Sequence, residues 1–217
     1  MTRMTDRQIL QLNNMNVAAQ RAGLGTRLDA LEYDGLPTVS VGTIAPMNTF
    51  NYRTAPALQT AVYVHAAITL TAAGGGQDIT TNITNPDVPR IVTAKANASG
   101  CAGNVVITGT DIGGNACTDT IALSGASEII GVKAFKTVTN IHVPAETHAG
   151  TDTVSIGIGV KLGFPVSLSA TTLCILHNFD GSNDAGTITT SATLQTSLYA
   201  VAGTMNGVKF VDLAFLV

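Results

Sequence analysis

The sequence predicts a mainly β protein. An antiparallel β-sandwich or barrel body over residues 57 to 217 is preceded by an N-terminal amphipathic helix and extended arm over residues 1 to 56. Three observations lead there. Short runs of apolar and hydroxylic residues recur between Gly, Pro and Asn turns, the pattern of sandwiches and barrels. Thr153 to Leu162 alternates strictly, with Val154, Ile156, Ile158, Val160 and Leu162 on one face. Charged residues make up 12 % of the chain, about half the usual share. Gly, Thr, Ala, Ser and Asn take their place, which suits strands whose outer face is hydroxylic or covered by other protein.

The first element opens at Thr5, whose hydroxyl and Gln8 three residues on fit a capping box. Ile9, Leu12, Met15, Ala19 and Ala22 then recur at steps of three and four, so residues 6 to 22 read as one amphipathic helix, ended by Gly23 and Gly25. A short turn follows from Arg27 to Glu32, carrying Leu28 and Leu31. Asn13, Asn14 and Asn16 narrow the apolar stripe, so this helix needs a partner surface, on its own body or on a neighbouring subunit. Tyr33 to Pro56 reads as extended and irregular, punctuated by Pro37, Pro46 and Pro56. Long arms of this kind make sense when they lie along another chain.

Strands are expected from Val62 onward. Val62 to Thr71 comes first, then a turn through Gly74, Gly75 and Gly76 read as a hairpin, then Gln77 to Ile83. Pro86 and Pro89 force a turn before the strand Arg90 to Ala96. Val105 to Thr110 should pair with Cys117 to Leu123 across Asp111 to Asn115, whose residues tolerate positive φ. Ala134 to Val143 reads as one strand through Phe135, Val138 and Ile141. In Thr153 to Leu162, Gly157 and Gly159 fall on the face opposite the apolar one, inviting close approach of another backbone. Thr171 to His177, Thr187 to Leu194 and Gly207 to Leu216 complete the set.

The chemistry-bearing residues are few. A net charge of −3 without any Lys/Arg cluster argues against a nucleic-acid partner. No run approaches the ~18 apolar residues of a membrane span, and the N-terminus lacks the apolar core of a signal peptide. Cys101, Cys117 and Cys174 read as free thiols of a protein made in a reducing cytoplasm, although Cys101 and Cys117 could face each other across the hairpin. His65, His142, His148 and His177 form no His-x-x-x-His pair, and a zinc site would need assembly from afar. Cys174 and His177, three apart on a strand, should point to opposite faces. Asp180 to Asp184 bunches oxygens but lacks the ligand order of a calcium loop. Gly74 to Gly76 is followed by no Lys-Ser or Lys-Thr and is no phosphate loop. Glu128 and Glu146 fall in expected loops with nothing to tune one against the other. The expectation is a non-enzyme with no catalytic residues, no metal and no cofactor.

Several phrases occur in order between residues 83 and 168: Ile83-Thr-Asn-Pro-Asp-Val-Pro-Arg90, Val105-Val-Ile-Thr-Gly-Thr-Asp111, Thr118-Asp-Thr-Ile-Ala-Leu123, Lys133-Ala-Phe-Lys-Thr-Val-Thr-Asn-Ile141 and Ile156-Gly-Ile-Gly-Val-Lys-Leu-Gly-Phe-Pro165. This wording resembles a family of small virion proteins of tailed bacteriophages, described as structural, decoration or head-fibre proteins. The resemblance implies a virion component, made in the bacterial host cytoplasm, and leaves its position on the particle open. The helix and arm lie outside the matched stretch. From their pattern we expect a capsid decoration (cement) protein on the head surface, gripping the major capsid protein through residues 1 to 56. The expected contacts are Ile9, Leu12 and Met15 on the helix, and Leu36, Val39, Val41, Ile44 and Phe50 on the arm. A homotrimer follows by analogy with the threefold points of a capsid lattice. The alternatives are a tail tube or neck component, and a surface carbohydrate-binding module or hydrolase, which 5 % aromatics and no Trp disfavour.

Overall fold

A computed structural model describes residues 48–72, 74–147 and 151–216. The expected helix at 6 to 22, the turn at 27 to 32 and the arm as far as residue 47 lie outside the described residues, as does His148. Within them the strands are β1 (Thr49–Thr54), β2 (Thr60–Thr69), β3 (Gln77–Ile79), β4 (Arg90–Ala96), β5 (Ala102–Thr110), β6 (Ala116–Ser124) and β7 (Glu128–Phe135). They continue as β8 (Thr137–Val143), β9 (Thr153–Gly163), β10 (Cys174–Phe179), β11 (Ser182–Asn183), β12 (Thr187–Thr189), β13 (Leu198–Ala200) and β14 (Val211–Leu216). Helical structure among the described residues amounts to two 3-10 turns, Thr171–Leu173 and Leu194–Thr196. The mainly β, antiparallel, sandwich-like body expected from the sequence is what the chain forms.

Three sheets make up that body. Sheet A runs β1-β14-β10-β11, sheet B runs β12-β13-β9-β4-β7 with β2 also on β9, and sheet C runs β3-β8-β5-β6. Every pairing is antiparallel. Sheet C packs on one end of sheet B. Val105 and Ile107 of β5, Ile121 of β6 and Ile141 of β8 meet Val64, Val92, Phe135 and Ile156 in one buried cluster. Sheet A packs on the other end, where Val211, Leu213 and Phe215 of β14 meet Leu162, Phe164 and Tyr199 in a second cluster. Phe164 and Phe215 meet edge to face, with ring centroids 5.1 Å apart, a favoured aromatic geometry.

β9 joins the two clusters. Val154, Ile156 and Ile158 enter the first, while Leu162 enters the second with Val160 packed against it, as strict alternation requires. One edge of β9 holds β4. Along the other, β2 pairs from Thr153 to Ile158 and β13 from Lys161 to Gly163. Gly157 lets β2 come close, since a Cβ there would press on Thr60 O and lie within 2.5 Å of Ala61 Cα.

Several expectations are corrected. Gly74 to Gly76 closes no hairpin, because β2 lies in sheet B and β3 in sheet C. The strand expected over Ala134 to Val143 is two: β7 ends at Phe135 in sheet B, and β8 begins at Thr137 in sheet C. The chain changes sheets at Lys136, whose N–H bonds Thr110 O at 2.8 Å. Glu128 begins β7 instead of lying in a loop. The arm expected to reach Pro56 contains a strand of the body, since β1 pairs with β14 at all six positions from Thr49↔Leu216 to Thr54↔Val211.

Candidate interaction surface

The buried polar side chains show what the body does with its chemistry. Arg90, at the start of β4, is fully buried. Its Nε donates to Gly159 O at 2.7 Å, and Nη2 donates to the same oxygen. Nη1 donates to Ala57 O at 3.0 Å and pairs with Asp87 at 3.1 Å. Burial draws the guanidinium below its ordinary value while the Asp87 charge works the other way. Arg90 thus ties the β1–β2 connection to the central strand.

Asp119 on β6 is buried, with one oxygen accepting from Val132 N at 2.7 Å and Lys133 N at 3.0 Å. Those N–H groups belong to a bulge, because the β4–β7 register jumps from Ile91↔Ala134 to Thr93↔Ile130. Asp119→Ala would leave both donors without that acceptor. It is expected to cost about 2–3 kcal/mol, read as a lower urea midpoint at unchanged m. A loss no larger than a surface substitution would show that the carboxylate is not what holds the bulge. Asp184, also buried, accepts from Tyr199 Oη at 2.5 Å and Ala202 N at 3.0 Å. Burial, followed by that contact, raises the Tyr199 phenol far above its usual range.

The sequence-level candidates distribute as follows. Cys174 and His177 share a face, contrary to expectation, because a bulge at Ile175 shifts the register so that Cys174 opposes Phe215 and His177 opposes Leu213. They are nonetheless engaged separately: Cys174 Sγ contacts Leu176 O at 3.4 Å, and His177 Nδ1 meets Asp184 O at 2.9 Å. All three cysteines are free and buried. Burial raises their thiols, Cys117 to about 11, so they stay protonated and poorly nucleophilic near neutrality. His142 pairs with Asp78 on sheet C at 3.0 Å, and His65 sits on β2. Asp180 pairs with Lys209 at 3.5 Å while its loop neighbour Asp184 serves Tyr199. No group of three His, Cys, Asp or Glu side chains among the described residues is arranged to hold a metal. A shallow depression is lined by Ser167, Leu168, Ser169, Thr190, Ser191 and Ala192, a hydroxylic lining with neither charge nor aromatic ring.

Sheet A carries part of the apolar surface that the body exposes, the rest lying at Val62 on β2, Ile130 and Val132 on β7, and Leu58 and Val208 between strands. Val211, Leu213 and Phe215 face the second cluster, so Asp212, Ala214 and Leu216 face the other way. Across the sheet, Asn51 and Arg53 of β1 and Leu176 and Asn178 of β10 share that outer face. Arg53 grips Asp212 through two nitrogens at 2.5 and 3.0 Å, and its guanidinium lies 4.9 Å from the Phe210 ring centroid. Ile175, Leu176 and Phe50 in the sheet, and Phe210 just before β14, are 52 %, 40 %, 41 % and 45 % exposed, high for apolar side chains grouped together. Comparison with protein-family models, with characterised proteins and with solved structures found no match.

Of the eight expected contact residues, Phe50 lies in this sheet, on β1 opposite Phe215. Ile9, Leu12, Met15, Leu36, Val39, Val41 and Ile44 lie outside the described residues. Ile175, Leu176, Arg53 and Phe210 were missed. Ile175-Leu176 reads locally as ordinary strand interior, and only the bulge turns it outward. Arg53 and Phe210 are far apart in sequence, so nothing short of the β1–β14 pairing could have joined them.

Proposed function

We propose that this chain is a non-enzymatic structural protein of a tailed-phage virion, and that it decorates the capsid. In this reading residues 1 to 56 contribute the grip on the major capsid protein, the β body stands on the head surface, and copies associate as a homotrimer at local threefold points. The observation that carries it is the division of labour in the body. Among its buried ionisable groups, Arg90, Asp111, Asp119 and Asp184 are committed to backbone hydrogen bonds that brace strands and turns. Part of its apolar exposure, at Phe50, Ile175 and Leu176, lies on sheet A, where β1 continues directly from the N-terminal segment. Such a body suits burial of apolar surface against a partner, worth ~25 cal/mol per Å², reinforced by many copies on one shell. The resemblance of residues 83 to 168 to phage virion proteins points the same way.

The test is a truncation. Because β1 is part of the body, the deletion has to stop at residue 47, leaving Thr49 in place. The protein lacking residues 2 to 47 is expected to remain folded and to lose binding to purified capsid shells at least tenfold. Undiminished binding would end the clamp reading. Rings or filaments of the purified full-length protein, with no affinity for shells, would move the protein to the tail.

A further inference from the structure

We infer that the free edge of β1 is a self-pairing strand, which joins two copies of this chain across a two-fold axis at Asn51. This goes beyond the virion reading and does not depend on it.

Sheet A ends on one side in β11, two residues long, and on the other in β1, six residues long and paired only with β14 among the described residues. An open edge presents a row of unmade backbone hydrogen bonds, and proteins usually blunt it with Lys, Pro or a bulge. β1 has none of these: its sequence is Thr-Phe-Asn-Tyr-Arg-Thr, and its register with β14 is unbroken. Its single charge, Arg53, is already engaged by Asp212 within the sheet. The strand is therefore unbroken in register, rich in β-forming residues and undefended.

The order of its side chains decides the partner. Phe50, Tyr52 and Thr54 share the inner face, and Thr49, Asn51 and Arg53 the outer. An antiparallel mate must present inner residues to inner residues, so a two-fold axis perpendicular to the sheet has to pass through a residue. With the axis at Asn51, Phe50 meets Tyr52 of the second copy, and Tyr52 meets its Phe50. Thr49 meets Arg53 of the second copy, and the two Asn51 residues face each other. Both aromatic pairs cover the exposed Phe50, a favourable cross-strand combination, and no like charges are opposed. An axis at Tyr52 would instead set Phe50 against Thr54 and bring the mate up to Pro56. Two four-stranded sheets become one of eight, and the contact is isologous and closed. Its small extent makes it a concentration-dependent contact, suited to linking copies already held side by side.

The geometry sets a specific cross-linking pattern. Opposed residues stand ~4.5–5.5 Å apart at Cα, within the ~4.4–6.8 Å reach of a disulfide. The native Cys101, Cys117 and Cys174 are buried, keeping the background low. Full-length Asn51→Cys, oxidised mildly at high protein concentration, is expected to run as a disulfide-linked dimer. Thr49→Cys alone and Arg53→Cys alone should stay monomeric, while a mixture of those two should give the heterodimer. Adding Phe50→Asp to Asn51→Cys should reduce the dimer yield at least fivefold. An Asn51→Cys protein that does not cross-link, or equal cross-linking of all three single variants, would overturn the pairing. Shell binding of the uncross-linked protein is measured separately, so its failure would count against the capsid reading alone.

Discussion

Arg90→Ala is expected to destabilise the body by about 3–5 kcal/mol, lowering Tm by on the order of 10 °C for a domain of this size. The side chain is fully buried and serves two carbonyls, Gly159 O on β9 and Ala57 O before β2, while neutralising Asp87. Its removal leaves a void, two carbonyls short of a donor, and the Asp87 carboxylate beside them without its cation. Asp87 also accepts from Ala57 N at 2.5 Å, so the loss should loosen the whole crossing from sheet A to sheet B. Arg90→Lys should fall between, because a single ammonium cannot match a planar fork reaching both carbonyls and the carboxylate. Thermal and urea unfolding of the three proteins decide the matter. A loss below about 1 kcal/mol for Arg90→Ala, within the ordinary range of point substitutions, would mean that water or Asp87 alone can hold this crossing.

Gly157→Ala should be nearly as damaging, at about 3 kcal/mol, the upper end for overpacking. The added methyl would meet Thr60 O and the Ala61 backbone, neither of which can swing aside as a flexible side chain would. β2 would have to lift from β9, withdrawing Val64 from the first cluster. The expected signature is faster amide hydrogen exchange along β2 together with the lower midpoint. Gly74→Ala is the control, since nothing lies within 4 Å of a Cβ there. Equal stability of the two variants would show that β2 is not held by close approach at Gly157.

The strands that were legible in the sequence are those whose alternation is uninterrupted. β9 was read with its apolar face and its two glycines, and β5 and β6 with their turn, because their own side-chain alternation runs on even where a partner's register shifts. β7 was lost for two physical reasons. Its bulge at Gly131 to Lys133 inserts residues out of phase, and the apolar run through Phe135 continues into β8 although the chain has changed sheets. β13, three residues long, is too short to show a period. The same blindness to bulges put Cys174 and His177 on opposite faces. The interaction surface was less legible than the fold. Phe50 was singled out as an arm residue and lies instead on a strand, and its exposure, on the inner face, depends on β1 being the last strand of its sheet. Edge position is a property of the assembled sheet and leaves no mark in a six-residue sequence.

The pairing of β1 with β14 also fixes how the body responds to mechanical load. Thr49 sits opposite Leu216, so the chain enters and leaves sheet A at the same end. A pull separating those two points acts along the hydrogen bonds of the first rung, which lie perpendicular to the strands, and each rung takes the load only after the one before it has parted. The strands would unzip at low force instead of shearing at high force. A tether drawn from Thr49 along the strand axis would load all six rungs together, so the same six residues make a weak joint or a strong one according to the direction of tension.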